Sequence, residues 1–191
     1  MMNTKAQNLL QHYASQLDQF FAVHQDANAT LSDWLASNFS THQMIELLQC
    51  ILADQHSLAQ ISARSYQHGN GFLKVVLLDH AYKLRLHIWF AGQTCEENIH
   101  DHRWSFSSLI LAGALTSEMW KDDQSGQQFQ EYEYHAATPQ RAPYKLDLGL
   151  KHLSLDNVQI NTVGDHYVMP KGKLHRIMNP GHQLVATMMC S

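Results

Sequence analysis

The sequence predicts a mainly β protein, a sandwich or barrel of short strands carrying an α-helical appendage at its N-terminus. Three observations predict it. Apolar residues in the first third recur at three- and four-residue spacing, the period of an amphipathic helix. A turn-rich break then stands at His68-Gly69-Asn70-Gly71. Beyond it the chain becomes a series of short apolar or alternating runs divided by turn signals, the pattern of an all-β sandwich or barrel. The expected division is residues 1–67 as a helical region packing on the barrel and residues 68–191 as the barrel domain.

Each element follows from its residues. Leu9, Leu10, Tyr13, Leu17, Phe20 and Phe21 mark a first helix. A short second helix is expected from Ser32, with Asp33 in its first turn. Ser40, with Gln43 three residues on, has the spacing of a capping box before MIELLQCIL, and Asp54 caps a fourth segment ending near Arg64. LKVVLL (73–78) is a strand. YKLRLHIWF (82–90) alternates, with Tyr82, Leu84, Leu86, Ile88 and Phe90 on one face and Lys83, Arg85, His87 and Trp89 on the other. FSSLILAG (106–113) and ALTSEMW (114–120) are strands. KDDQSGQQ (121–128) has the Asp, Ser and Gly of a hairpin turn. FQEYEYHA, YKLDLGLKHLSL, VQINTV, DHYVMP, HRIMNP and LVATMMC complete the series, with a turn at 179–181.

Composition narrows the class. Of the 191 residues, 45% are hydrophobic and 16% charged, so a buried core is available and charge is below the usual quarter. Net charge is -4 and no basic run occurs, which points away from nucleic acid and anionic membranes as partners. The first thirty residues hold no apolar stretch of signal-peptide type. The three cysteines, Cys50, Cys95 and Cys190, are odd in number and widely spaced. That argues for a reducing cytoplasm and against a disulfide framework or a Cys-rich zinc site.

Candidate metal ligands stand in IHDHRW (99–104), where His100 and His102 are one residue apart. In a strand, i and i+2 share a face, so both imidazoles would reach one point. The pair alone is weak, because fourteen histidines scattered over the chain give roughly one such H-x-H by chance. GDHYVMPKGKLHRIMN (164–179) is far more specific. It places Gly164, Pro170, Gly172, His175 and Asn179 at the spacing G-x5-P-x-G-x2-H-x3-N, which chance gives with odds on the order of a few in a hundred thousand. Pro170 ends a strand ladder, Gly172 permits the tight turn, and His175 starts the next strand.

That spacing resembles the second motif of the cupin superfamily at every fixed position. The superfamily's first motif, G-x5-H-x-H-x3-4-E-x6-G, is matched by His100, His102 and Gly113. Gly92 lies two residues too early, and Phe106 or Ser107 stands where the glutamate ligand would be. The resemblance implies a double-stranded β-helix (jelly-roll) barrel with three histidine ligands, His100, His102 and His175, and no carboxylate ligand. ENIHDHRWSFSSLILAGAL is similar to the thiol dioxygenases, chiefly cysteine dioxygenase, as is the His175-Arg176 pair. This implies Fe(II), with Ni, Mn or Zn as alternatives, and oxidation of a small molecule by O2. Three neutral ligands leave the double charge of the ion uncompensated, which favours a small anionic chelating substrate.

The substrate pocket is open between readings. Arg85, His87 and Trp89 share one strand face, which either lines the cavity or faces solvent beside an inward Leu84-Leu86-Ile88 row. Trp104 has the ligand parity, and Tyr82, Ser107, Tyr167 and Met169 are further pocket candidates. Arg103 alternates away from the metal and suits a structural salt bridge. His166 and His182 suit turns or the surface, and Glu97 is a lesser candidate for an acidic ligand or base. The resemblance is incomplete. No arginine stands near Lys74 to Val76, the family's histidine–tyrosine pair is missing from VATMMC, and Ser107 replaces its crosslinking cysteine, which argues against cysteine itself as the substrate. No catalytic acid or base is singled out. The alternatives are another cupin metalloenzyme (isomerase, lyase or C–C-cleaving dioxygenase) and a non-catalytic small-molecule-binding cupin. Edge strands and apolar helix faces leave a homodimer open.

Overall fold

Every helix begins on a side chain that accepts a free amide proton of its first turn. A computed structural model describes residues 3–179 and 181–191, with the backbone alone at 95 and 96. α1 (Lys5–Val23) is capped by Thr4 in a reciprocal box with Gln7. α2 (Ala29–Asn38) starts three residues before the expected Ser32, because the Asn28 side chain accepts from Leu31 N at 3.2 Å. Ser32 is buried inside this helix, its hydroxyl 3.0 Å from His166 Nδ1. α3 (Thr41–Ala53) is capped by Ser40, and α4 (Gln55–Arg64) by Asp54. Asp54 also accepts the Thr4 hydroxyl at 2.8 Å, joining the starts of α1 and α4.

The strands are β1 (Tyr66–Gln67), β2 (Leu73–Asp79), β3 (Lys83–Trp89), β4 (Cys95–Glu96), β5 (Phe106–Ala112), β6 (Ala114–His135), β7 (Tyr144–Thr162), β8 (His166–Met169), β9 (His175–Asn179) and β10 (Val185–Cys190). They form two antiparallel sheets, ordered β1-β2-β3-β10-β5-β8 and β4-β9-β6-β7. The fold is mainly β, two antiparallel sheets with a helical N-terminal region. The first sheet begins at Tyr66, two residues before the expected boundary, since Tyr66 and Gln67 pair with Lys74 and Leu73. Residue 180 of the expected turn at 179–181, and the Cys95 side chain, lie outside the described residues.

The helices cover the outer face of the six-stranded sheet. Leu17, Leu31, Leu35 and Leu47 meet Leu77, Leu84, Leu86, Leu109 and Met188 in one core. This settles the alternation of β3. Its apolar row is turned to the helices, so its polar row, Arg85, His87 and Trp89, faces the space between the sheets. Both faces of the strand are buried.

One expected hairpin is absent. KDDQSGQQ does not reverse the chain: Asp122 and Gln127 both pair with Leu153, so the residues between them bulge out of a single long strand. Asp123 Oδ1 accepts from the Ser125 amide at 2.9 Å and hydroxyl at 2.7 Å, so the bulge satisfies its own polar groups. Residues 136–143 make the true reversal between β6 and β7. Among the described residues no helix is long and apolar enough to cross a membrane.

Candidate metal centre

Two short backbone ties bring the histidines together. His100 and His175 pair as an isolated antiparallel bridge, His100 N to His175 O at 2.9 Å and His175 N to His100 O at 2.8 Å. Residues that exchange both bonds in this way present their side chains on the same face. Gly172, at φ +74°, then turns the chain so that its amide reaches the His102 carbonyl at 3.0 Å. The third histidine is thereby drawn to the same point.

The three Nε2 atoms meet. His175 Nε2 lies 3.2 Å from that of His102 and 3.2 Å from that of His100. His100 Nδ1 is 2.9 Å from the Asn98 carbonyl, which only accepts, so the proton sits on Nδ1 and the Nε2 lone pair points inward. His175 is 2% exposed, and burial, then the neighbouring imidazoles, pushes its pKa down to about 3. Burial, then His100, Arg85 and Lys74, hold His102 at about 4. With the ring protons on Nδ1, three converging Nε2 lone pairs would repel one another unless a cation lay between them. A metal about 2.1 Å from each nitrogen needs nitrogen separations of about 3.0 Å in an octahedral facial set and 3.4 Å in a tetrahedral one, and the two separations made by His175 fall in that interval. The residues present fit a divalent metal.

The cluster lies on the wall of a cavity of about 570 Å³ between the sheets. Arg85, His87, Trp89 and Trp104 line it, as does Tyr167, whose phenol burial raises to about 12. Three pocket candidates do not. Tyr82 is turned to the helices by strand parity, its hydroxyl donating to Ala14 O at 2.9 Å. Ser107 has the parity of that same outer face, and its hydroxyl bonds to Asn28 O at 3.1 Å, so Ser108 takes the cavity position instead. Met169 is buried in a cluster with Phe106, Met119 and Met189.

Other candidates also find places. Glu97 lies behind His100, on its Nδ1 side at 3.9 Å, and accepts from Ile177 N at 3.0 Å, away from the converging Nε2 atoms. Arg103 bonds the Tyr134 carbonyl rather than a carboxylate. Arg176 pairs with Glu118 at 2.6 Å, outside the cavity lining. Sequence reasoning missed Lys74, which lines the cavity opposite His87. Its signal was a lone cation in the otherwise apolar run LKVVLL.

No family model matches the chain, and no curated protein matches it. Solved structures do. An oxalate oxidase is 15% identical, with a TM-score of 0.38, over 64% of this chain and 51% of that one. A cupin-2 domain protein from Rhodospirillum rubrum is 12% identical, with a TM-score of 0.40, over 66% of this chain and 65% of that one. Oxalate decarboxylase from Bacillus subtilis is 10% identical, with a TM-score of 0.42, over 69% of this chain and 28% of that one. The chain thus spans about half the length of the oxalate oxidase it matches.

Proposed function

We propose that this chain is a metal-dependent dioxygenase of the thiol dioxygenase-like cupin type, holding Fe(II) on His100, His102 and His175 and oxidising a small anionic chelating substrate with O2. The observation that carries the reading is the meeting of three imidazole nitrogens, with no carboxylate among them, on the wall of a cavity between the sheets. Three neutral ligands leave the metal's charge for the substrate to balance. Bound there, the metal would supply open positions that hold substrate and O2 side by side.

The chain's own side chains do the rest. His100 is oriented by the Asn98 carbonyl. Phe72, Trp89 and Phe106 give the cavity apolar walls that exclude water. The Tyr167 phenol keeps its proton through the neutral range and can donate it as a hydrogen bond. In the typical thiol reaction RSH and O2 give RSO2− and one proton, both oxygens ending on sulfur. A cavity of about 570 Å³ is larger than a three-carbon thiol needs, which favours a bulkier thiol or, as the second reading, a C–C-cleaving dioxygenase, isomerase or lyase on the same cluster.

The test uses protein purified without a metal-affinity tag. Elemental analysis should find about one metal per chain and distinguishes Fe from Ni, Mn and Zn. An oxygen electrode with the Fe(II)-loaded protein is then run against a panel of small thiols and β-dicarbonyls. Uptake with a thiol, and a product gaining two oxygen atoms, is the expected result. Uptake with β-dicarbonyls alone moves the chain to C–C cleavage. A metal-loaded protein that consumes no oxygen with any member overturns the dioxygenase reading.

A further inference from the structure

β3 carries a row of polar side chains that the protein itself leaves unanswered. Arg85 is 7% exposed, lines the cavity, and has neither a carboxylate within 4.0 Å nor a hydrogen-bond partner among the described residues. Two residues on, His87 is 8% exposed and its Nε2 has no partner. Two further, Trp89 is 3% exposed and its Nε1 has none either. Directly across the ladder from His87 stands Lys74, its ammonium 5.3 Å from the Tyr66 ring centre and 5.6 Å from that of Phe72. Lys74 and Arg85 are therefore diagonal neighbours on one inward face, about 7–8 Å apart at Cα.

The other charges lining the cavity are already engaged. Asp79 pairs with Lys83, and the Arg64 guanidinium donates to the carbonyls of Val76 and Leu77. Glu97 accepts from Ile177 N beside His100. Among the described residues, no carboxylate lies within ion-pair distance of Lys74 or Arg85. Lys74 and Arg85 have only the more distant carboxylates of Glu97 and Asp79, respectively, to offset their charge, so the two cations are costly in the empty protein and favourable when an anion joins them.

We propose that the substrate of this site carries a dianionic tetrahedral head, of the phosphate monoester or phosphonate class, clasped between Lys74 and Arg85 with the His87 and Trp89 ring nitrogens as further partners. The assignment of a substrate to this cavity rests on the metal-centred reading above. A single carboxylate would match the Arg85 fork and leave the Lys74 ammonium unbalanced. A dianion balances both, with the fork gripping two oxygens and the ammonium meeting the third as a point charge.

The test separates charge from shape and from metal. Chelator-treated, tag-free protein at pH 8 is titrated calorimetrically with methyl phosphate (a dianion), methyl sulfate (the same shape with one charge) and acetate. Methyl phosphate is expected to bind at least about tenfold more tightly than the other two, the effect of one added charge-assisted contact. Lys74→Gln should erase most of that preference, weakening methyl phosphate more than methyl sulfate and leaving acetate binding within about threefold. Arg85→Gln should weaken all three, and Arg85→Lys should recover part. Equal binding of methyl phosphate and methyl sulfate by the wild-type protein overturns the proposal, as does a Lys74→Gln variant that keeps the preference. Because the titration is metal-free, a preserved phosphate preference in a chain that takes up no Fe(II) would refute the dioxygenase reading alone.

Discussion

Stripping the metal should lower the melting temperature, and the histidine geometry sets how much. The two Nε2 separations made by His175, 3.2 Å each, already suit a shared metal, so binding demands little movement of these rings. A ligand that binds only the folded chain stabilises it by RT ln(1 + [L]/Kd), about 4.1 kcal/mol at a thousand times Kd. In a chain of this size each kcal/mol moves the midpoint by about 2–4 °C, so saturating metal should raise it by about 8–16 °C. Circular-dichroism melts of chelator-treated protein, with and without added Fe(II) under argon, read this directly. In His102→Ala most of the metal and most of the shift should be lost. The variant should still fold, because His102 is only partly buried and its ring neighbours, His100, His175 and Phe106, stay packed by their own strands and bridge. A wild-type midpoint indifferent to metal, or a His102→Ala protein that keeps full occupancy, would show that the three nitrogens do not share an ion.

Two further outcomes test the scaffold. Gly113, at φ +70°, joins β5 to β6, and a Cβ there would overlap the Leu184 carbonyl oxygen, so Gly113→Ala should cost at least ~2 kcal/mol in urea unfolding. Hydrogen bonds from Ser57 and then Thr4 hold the Asp54 carboxyl below the ordinary aspartate value. Its folded pKa is depressed, so its contribution is present above the unfolded pKa and is lost as pH falls through the folded one. The stability gap between wild type and Asp54→Asn should therefore be open at neutral pH and closed in acid below the ordinary aspartate value, as followed by thermal melts across that range. A gap that persisted in acid would place the effect elsewhere than the carboxylate.

The histidine trio was legible because the motifs that carry it are local, although its assembly is not. The strand period expected for His100 and His102 is absent, since both lie between β4 and β5, and the three rings are brought to one point by the long-range bridge of His100 with His175 and by the Gly172 amide on the His102 carbonyl. The cavity wall was not legible in the same way. In YKLRLHIWF the alternation separates Leu84 and Leu86 from Arg85 and His87, but it does not say which row is inside. Solvent on one side of the sheet would have turned the polar row outward. Here α1–α4 cover that side, so the apolar row has a core of its own and the polar row is free to face the cavity. The same cover withdrew Tyr82 and Ser107 from the pocket and put Ser108 in. It also concealed Lys74, because a strand buried on both faces needs apolar residues on each, and LKVVLL shows no period from which the direction of its lysine could be read. The bulge at 123–126 escaped for a different reason. Asp, Ser and Gly satisfy a local kink as well as they satisfy a reversal, and only the pairing of both Asp122 and Gln127 with Leu153, long-range in sequence, decides between the two. What a strand's residues do is thus set by what covers each of its faces, and in this chain the cover comes from a helical third that bears no chemical motif.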